Sequence, residues 1–386
     1  MTKPPFRRPT LDTRRPTPSS TPRWLTQLLQ WFSIHQRPMP WRDDPSPYKV
    51  WISEIMLQQT RVTAVIPYFE RFLAAFPDVQ TLANAPQENV LKIWEGLGYY
   101  SRARNLHAAA KIISFERNGQ FPDTEKDWHT LPGVGPYTAA AVASIACGKT
   151  AAAIDGNVMR VWSRMRGIQE DISTSVWRDK ARQDLVRYAR KCNPSLFNQA
   201  MMELGALVCL PRNPACSACP LQRACVAHRT KRTDIIPFRK KAAVIPHRHE
   251  VVLIVTFETS NKTPRTKNPR REVHILLRQR PHTGLLAGLW EFPSLEMTSH
   301  KMAFSRKARE LAKHLGVPSE VKLVKSTTVE HAFTHFSQTL HVFQTKLSSP
   351  IPLPSTDHRW CTPSDLENLP LSRSQRRIVN HYKSTS

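Results

Sequence analysis

Apolar positions change their period once along the chain. From Trp24 to about His228 they recur at helical spacing: Trp24, Leu25, Leu28, Leu29 and Phe32, then Val50, Ile52, Ile55 and Met56, then Val62, Val65 and Ile66. Short breaks such as Phe76-Pro77-Asp78 and Asn84-Ala85-Pro86 interrupt the pattern, because proline lacks a backbone donor and fixes φ. No long alternating strand occurs in this half, so 24–228 is predicted as an all-α domain of many short helices. Residues 229–248 are basic, broken by Pro237 and Pro246, and read as a linker. Beyond it, Val251-Val252-Leu253-Ile254-Val255 and Val273-His274-Ile275-Leu276-Leu277 have strand chemistry, with a polar, basic loop, Thr259 to Arg271, between them. Arg306 to Leu315 predicts a helix closed by Gly316. Thr327-Thr328-Val329 and Leu340-His341-Val342-Phe343 return to strand. The prediction for 249–386 is a smaller α+β domain, and the chain is multi-domain without an internal repeat.

Charge narrows the class. The 386 residues carry a formal net charge of +26, with a pI of about 10.3. A folded protein this basic is expected to meet a polyanion, nucleic acid first and an anionic membrane surface second. No stretch approaches the ~20 apolar residues of a membrane span. Residues 1–23 are rich in Pro, Arg, Ser and Thr with one acid, Asp12. They lack the apolar run of a secretory signal, and their prolines oppose the amphipathic helix of an organelle transit peptide. A disordered basic tail is predicted. Of seven cysteines, four crowd into Cys209 to Cys225 while Cys147, Cys192 and Cys361 are scattered. An odd count without a signal fits a reducing compartment and one metal site better than a disulfide scaffold.

Cys209, Cys216, Cys219 and Cys225 have the spacing C-x6-C-x2-C-x5-C. Four such thiolates suit tetrahedral zinc or a 4Fe–4S cluster, and spacing alone leaves both open. Arg212, Arg223, Arg229, Lys231 and Arg232 make this a cationic loop fit to face phosphate. Leu131-Pro132-Gly133-Val134-Gly135-Pro136-Tyr137-Thr138 precedes the small-residue run Ala139 to Ala146. Gly133 and Gly135 open the backbone to a ligand, and Pro136 suits a helix start whose N–H groups face an anion. An ordinary tight turn is the plainer alternative. Glu54 is the lone acid of Trp51-Ile52-Ser53-Glu54-Ile55-Met56-Leu57-Gln58-Gln59-Thr60. It is either a partly exposed ion-pair partner or a carboxyl whose pKa is raised by burial until it can donate a proton. Asp155, in Ile154-Asp155-Gly156-Asn157-Val158, suits a helix N-cap and a carboxylate stabilising positive charge on a sugar. Two carboxyls in unlike environments are what N-glycosidic bond cleavage requires.

The order of Leu131 to Thr138, Asp155 and the four-cysteine loop resembles the endonuclease III superfamily of DNA glycosylases. Within it, Trp41-Arg42, Ser53 to Thr60, Trp94-Glu95-Gly96-Leu97-Gly98-Tyr99-Tyr100 and Asp155-Gly156-Asn157-Val158 are similar to the adenine DNA glycosylase (MutY) family. The resemblance implies a helix-hairpin-helix domain, a 4Fe–4S cluster on the four cysteines, and removal of adenine mispaired with 8-oxoguanine or guanine in double-stranded DNA. It makes Glu54 the acid that protonates adenine N7 and Asp155 the carboxylate that stabilises the oxocarbenium ion or its adduct. Tyr137 occupies the position where bifunctional relatives carry a Schiff-base lysine. A phenol forms no imine, so efficient strand-nicking is not expected. Trp41, Arg42, Leu57 and Gln199 match residues around the flipped adenine, and Asn157 one beside the catalytic Asp. Gln59, Leu97 and Tyr99 match the wedge beside the estranged oxidised guanine, although packing alone would also explain Leu97 and Tyr99. Gly133 and Gly135 match the turn that grips DNA backbone.

The C-terminal half resembles that family's Nudix-like domain, through Gly284-Leu285-Leu286-Ala287-Gly288-Leu289-Trp290-Glu291-Phe292-Pro293 and Arg309-Glu310-Leu311-Ala312-Lys313-His314-Leu315-Gly316. Lys313 and His314 stand where active Nudix hydrolases carry acids, so this domain is expected to read rather than hydrolyse. Phe333-Thr334-His335 matches the loop inspecting 8-oxoguanine, with Thr where Ser is frequent; His335 on a strand would otherwise be an ordinary surface residue. The expected enzyme is monomeric, does not bind membranes, and works in the cytoplasm on a bacterial nucleoid. A bifunctional endonuclease III-like glycosylase/lyase is the alternative, opposed by Tyr137 and the extra domain. A Nudix hydrolase and a non-catalytic DNA-binding protein are further readings, opposed by Lys313 and His314 and by the intact acids respectively.

Overall fold

The computed structural model describes residues 21–238, 245–260, 271–297 and 303–385. Most of the predicted tail, part of the linker (239–244) and most of the predicted 259–271 loop (261–270) lie outside these residues. The helices before the sheet are α1 (Arg23–His35), α2 (Pro40–Asp43), α3 (Pro47–Leu57), α4 (Val62–Ala75), α5 (Val79–Asn84), α6 (Gln87–Ile93), α7 (Ser101–Lys111), α8 (Glu125–Trp128), α9 (Pro136–Ile145), α10 (Gly156–Arg166), α11 (Ser175–Ala189), α12 (Pro194–Leu207) and α13 (Val226–Arg229). The breaks at 76–78 and 84–86 fall where expected, flanking α5. Among the described residues no helix is long and apolar enough to cross a membrane.

These elements belong to two compact units. One contains 1–58 and 120–241; the other joins 59–119 to 242–386. In the first, Leu25, Leu28, Phe32, Trp162, Phe197 and Leu204 form the centre of a buried core. α3 has no solvent face from Val50 to Met56, so its one acid is carried inside with the apolar residues. The alanines of α9 let α3 and α12 come close on either side.

In the second unit a mixed sheet follows helices α4 to α7. Its strands are β1 (His247–Ser260), β2 (Arg271–Gln279), β3 (Trp290–Glu291), β4 (Ser294–Glu296), β5 (Val324–Ala332), β6 (Ser337–Leu347) and β7 (His358–Cys361), with helices α14 (Phe304–His314), α15 (Asp365–Asn368) and α16 (Arg373–Thr385). The order is β3-β2-β1-β6-β5, with β4 on β1 and β7 on β2. β1 and β6 pair in parallel, from His247 opposite Ser337 to Phe257 opposite Leu347. The apolar run 251–255 is buried on both faces. Val251, Leu253 and Val255 pack with Leu311 of α14 and with Leu315 just after it; Val252 and Ile254 pack with Ile378 and Val379 of α16. β1 begins two residues inside the segment read as linker, and β1 and β2 reach into the ends of the predicted loop, because ladder pairing with β6 and between Ser260 and Arg271 extends them. The helix predicted at 306–315 is α14, ended by Gly316 at φ +78°.

Candidate active site

Glu54 is 5% exposed, and the hydroxyl of Tyr137 donates to its Oε2 at 2.7 Å. Burial pushes the carboxyl pKa up to about 7; the Tyr137 hydrogen bond offsets part of this, the charge of Asp155 adds to it, and Arg42 lowers it. The ion-pair alternative gives way to a phenol partner. Tyr137 itself is held well above the usual phenol range, by burial first and then by the two carboxylates, so it remains a donor. Its hydroxyl also lies 3.6 Å from Met202 Sδ.

Asp155 is the N-cap of α10: its Oδ1 accepts from Val158 N at 2.7 Å, and its Oδ2 accepts from Asn157 Nδ2 at 2.7 Å. Burial raises its pKa, and the Val158 and Asn157 hydrogen bonds and Arg160 pull it back. The cap and the position matched to the family's sugar-stabilising carboxylate therefore coincide. Asn157 is fixed in turn by Arg160, whose Nη2 donates to Asn157 Oδ1 at 2.7 Å and to Gly205 O at 2.8 Å, while its Nε donates to Cys209 O at 2.7 Å. The contact demands glycine at 205, since a Cβ there would stand 2.5 Å from Asn157 Cβ. Upstream, Asn198 Oδ1 accepts from Ala153 N at 2.9 Å and its Nδ2 donates to Ala151 O at 2.9 Å, which ties the segment before Asp155 to α12.

Of the residues matched to the adenine pocket, Asn157 bonds Asp155 and Arg42 acts on Glu54 through its charge. Trp41 is buried, and Leu57, Asn157 and Gln199 are half-buried. Arg42 is immobilised: Nε donates to Gln199 Oε1 at 2.9 Å, Nη1 to Arg37 O at 2.7 Å and Nη2 to Glu203 Oε2 at 3.1 Å. Glu203, 1% exposed, also receives Arg37 Nε at 2.8 Å and Nη2 at 3.0 Å. Burial alone would raise Glu203, but its arginine hydrogen bonds outweigh that and hold its pKa low. Glu203 and Arg37 escaped the sequence reading. Yet Met201-Met202-Glu203-Leu204 shows the signal that singled out Glu54, one acid in an apolar helix.

The turn matched to DNA-backbone gripping joins α8 to α9. Trp128 closes α8 and is buried; Gly133 has φ +73°, and Gly135 precedes Pro136 with open space where a Cβ would stand. His129 Nδ1 meets Val134 O at 2.9 Å across the turn. A second basic residue of α10, Arg164, organises the cysteine loop, donating to Leu210 O at 2.6 Å, Pro211 O at 3.0 Å and Cys209 Sγ at 3.4 Å. Cys209, Cys216, Cys219 and Cys225 line one small cavity of about 30 Å³. Among the described residues no three Cys, His, Asp or Glu side chains converge on a point suited to a single metal ion. Burial, joined by repulsion from Cys209, Cys225 and Cys216, pushes the Cys219 thiol up to about 12.

The residues matched to lesion reading lie in the second unit. Gln59 is exposed at φ +59°, and Tyr99 is 45% exposed at φ +47°. Leu97, by contrast, is buried at 7% and packs as a core residue, so inserting it into DNA requires it to leave that packing. Arg102, which sequence reading also missed, donates to Leu97 O at 3.2 Å and Gly98 O at 3.1 Å from beneath the turn. Phe333, Thr334 and His335 occupy the turn between β5 and β6, so His335 is on a loop tip and not on a strand. Phe333 N donates to Phe336 O at 2.8 Å and the two rings stack, leaving Thr334 and His335 exposed. The hydroxyls of Tyr99 and Thr334 are hydrogen-bonded at 2.5 Å.

Residues 52–186 match the HhH-GPD superfamily base excision DNA repair proteins, and residues 269–381 match the NUDIX domain. Fold and site thus define a helix-hairpin-helix base excision glycosylase with a C-terminal Nudix domain. Adenine DNA glycosylase of Mus musculus is 36% identical over 93% of this chain and 77% of that protein. The Homo sapiens protein of that name is 35% identical over 92% and 73%, and that of Schizosaccharomyces pombe 32% over 93% and 89%. The chain belongs to the adenine DNA glycosylase family: it is a DNA N-glycosylase of base excision repair.

Proposed function

We propose that this enzyme hydrolyses the N-glycosidic bond of adenine opposite 8-oxoguanine or guanine, leaving an abasic site without efficient strand cleavage. The observation that carries the lesion specificity is the Tyr99–Thr334 hydrogen bond, which joins the wedge turn to the loop matched to lesion inspection. Adenine has to leave the stack to be worked on. With Tyr137 on Oε2, Glu54 Oε1 is the oxygen left to carry the proton that goes to adenine N7. A carboxyl near pKa 7 is well matched to donating it. The C1′–N9 bond then breaks with its electron pair on the base, Asp155 faces the oxocarbenium ion, and a water oxygen bonds C1′ while the proton it releases returns to the Glu54 carboxylate. Tyr137 holds the acid and offers no amine for a lyase step. In the Nudix-like domain Lys313 and His314 are exposed, and Glu310 is paired with Lys307 at 2.9 Å, which supports reading over Mg²⁺-dependent hydrolysis.

Cys209, Cys216, Cys219 and Cys225 would hold a 4Fe–4S cluster. The four thiols line one cavity, and a cube has four irons for four thiolates to bind, one each. When bound, the cluster would take the place of the thiol protons and stiffen the cationic loop. Iron and sulfide near four each per chain are expected on elemental analysis, and zinc in their place would remove this assignment.

Single-turnover excision on duplexes with A opposite 8-oxoguanine, G or T, each with and without alkali, tests the whole reading. Fast adenine release from the first, poor release from the last and breaks only after alkali are expected. Breaks without alkali would favour the bifunctional alternative.

A further inference from the structure

The turn that carries Leu97 and Tyr99 is an uncomfortable piece of backbone. Gly96, Gly98 and Tyr99 all have positive φ, at +94°, +76° and +47°, and such a conformation in a residue with a side chain persists only when its surroundings enforce it. From below, Arg102 and the Trp94 indole hold its carbonyls, the latter donating to Gly98 O at 3.1 Å. The other restraints come from the sheet domain and meet both ends of the turn. At the front, the Arg376 guanidinium of α16 grips Glu95 with Nε to Oε1 at 2.7 Å and Nη2 to Oε2 at 3.0 Å. At the back, the Tyr100 hydroxyl donates to Leu371 O at 3.1 Å while accepting from Gly96 N at 3.3 Å. Burial pushes the Tyr100 phenol up to about 12, so it keeps the proton it donates.

The support behind these contacts is itself anchored. Arg376 also donates to Leu366 O at 2.7 Å and Leu369 O at 3.2 Å; Pro370 O accepts from Trp290 N of β3 at 3.0 Å, and the Trp290 indole reaches Glu88 of α6 at 2.6 Å. We infer that the sheet-domain segment 369–376 is a clamp on the wedge turn, and that Arg376 is a positioning residue for lesion discrimination. It acts through Glu95 on where Leu97 and Tyr99 stand, without touching DNA bases itself. The sheet domain therefore contributes to discrimination twice, through its own Thr334 and by fixing the turn that Thr334 meets. This rests on the preference for 8-oxoguanine proposed above.

The test uses the full chain with Arg376→Ala, Arg376→Lys, Glu95→Gln, Tyr100→Phe and the Glu95→Gln/Arg376→Ala double variant. Single-turnover excision of adenine opposite 8-oxoguanine and opposite guanine is compared, together with hydrogen exchange at 96–99 and the thermal midpoint. Arg376→Ala and Tyr100→Phe are each expected to lower the preference for 8-oxoguanine over guanine by roughly tenfold and to speed exchange in the turn, with Glu95→Gln adding little on top of Arg376→Ala. Arg376→Lys should recover part of the preference. The alkaline limb of the pH profile, which belongs to Glu54, should not move. An equal loss on both substrates with the preference intact overturns the clamp and leaves Arg376 as plain glue. If Arg376→Ala fails to fold, Tyr100→Phe, which deletes one oxygen, decides between these outcomes. A wild-type enzyme with no preference for 8-oxoguanine overturns the underlying reading and the clamp's role with it; a wild-type preference that all variants share overturns the clamp alone.

Discussion

Glu54 is an ordinary residue type made unusual by its surroundings. Its carboxyl binds a proton more tightly in the folded chain than in the unfolded one, because burial penalises the charge. The folded pKa is raised, so the associated stability is complete below about 4.5 and is lost as pH rises to about 7. Glu54→Gln removes this slope. Its advantage in urea or thermal unfolding over the wild type should widen across that window, by up to about 3 kcal/mol at neutral pH. The same variant should lose adenine excision by about a thousandfold, as expected for removing a general acid, while binding mispaired DNA normally in a gel-shift titration. Tyr137→Phe is the finer probe. The hydroxyl of Tyr137 lowers the Glu54 pKa, so its removal should move the alkaline limb of the excision profile upward. A downward move would mean that the phenol does not bind the ionised carboxylate.

α10 is the element that connects the site's parts. Its first turn is capped by Asp155, and its next turns present Arg160 to Asn157 and Arg164 to the cysteine loop. Capping and catalysis separate by substitution. Asp155→Asn keeps an oxygen for Val158 N, whereas Asp155→Ala does not, so the alanine variant should be less stable than the asparagine variant by about 1 kcal/mol in urea titrations. Both should lose excision, since neither carries a charge to place against the sugar. Equal stability would show that the cap contributes nothing here. At this scale the sequence was readable where periodicity and punctuation agree: α1, α3, the breaks around α5, and α14 all lie close to their predicted places. Glu203 shows the limit. In sequence it is the same lone acid as Glu54, and what separates a carboxyl raised to about 7 from a salt-bridge anchor is Arg37 and Arg42, more than 160 positions from Glu203.

For the whole molecule, the second unit joins helices α4 to α7 to the sheet domain through contacts that span 183 to 281 positions, among them Arg104 to Ala287 O and Glu95 to Arg376. Truncating the chain after Lys241 leaves Glu88, Glu95, Tyr100 and Arg104 without these partners. Hydrogen exchange over 59–119 should then be markedly faster than in the full chain, with the core around Trp162 and Phe197 protected as before. Unchanged protection over 59–119 would show that these helices stand without the sheet.

The sequence alone determined the all-α and α+β character of the two halves, the four-cysteine loop and the two acids. Each of these is written in local spacing or in the chemistry of single residues, and needs no distant partner to be read. Tertiary structure decided the rest: the burial that brings Glu54 to about 7, the arginines that neutralise Glu203, the packing of Leu97, and the meeting of Tyr99 with Thr334. These depend on desolvation and on which side chains meet across long separations, and both exist only once the chain has closed on itself.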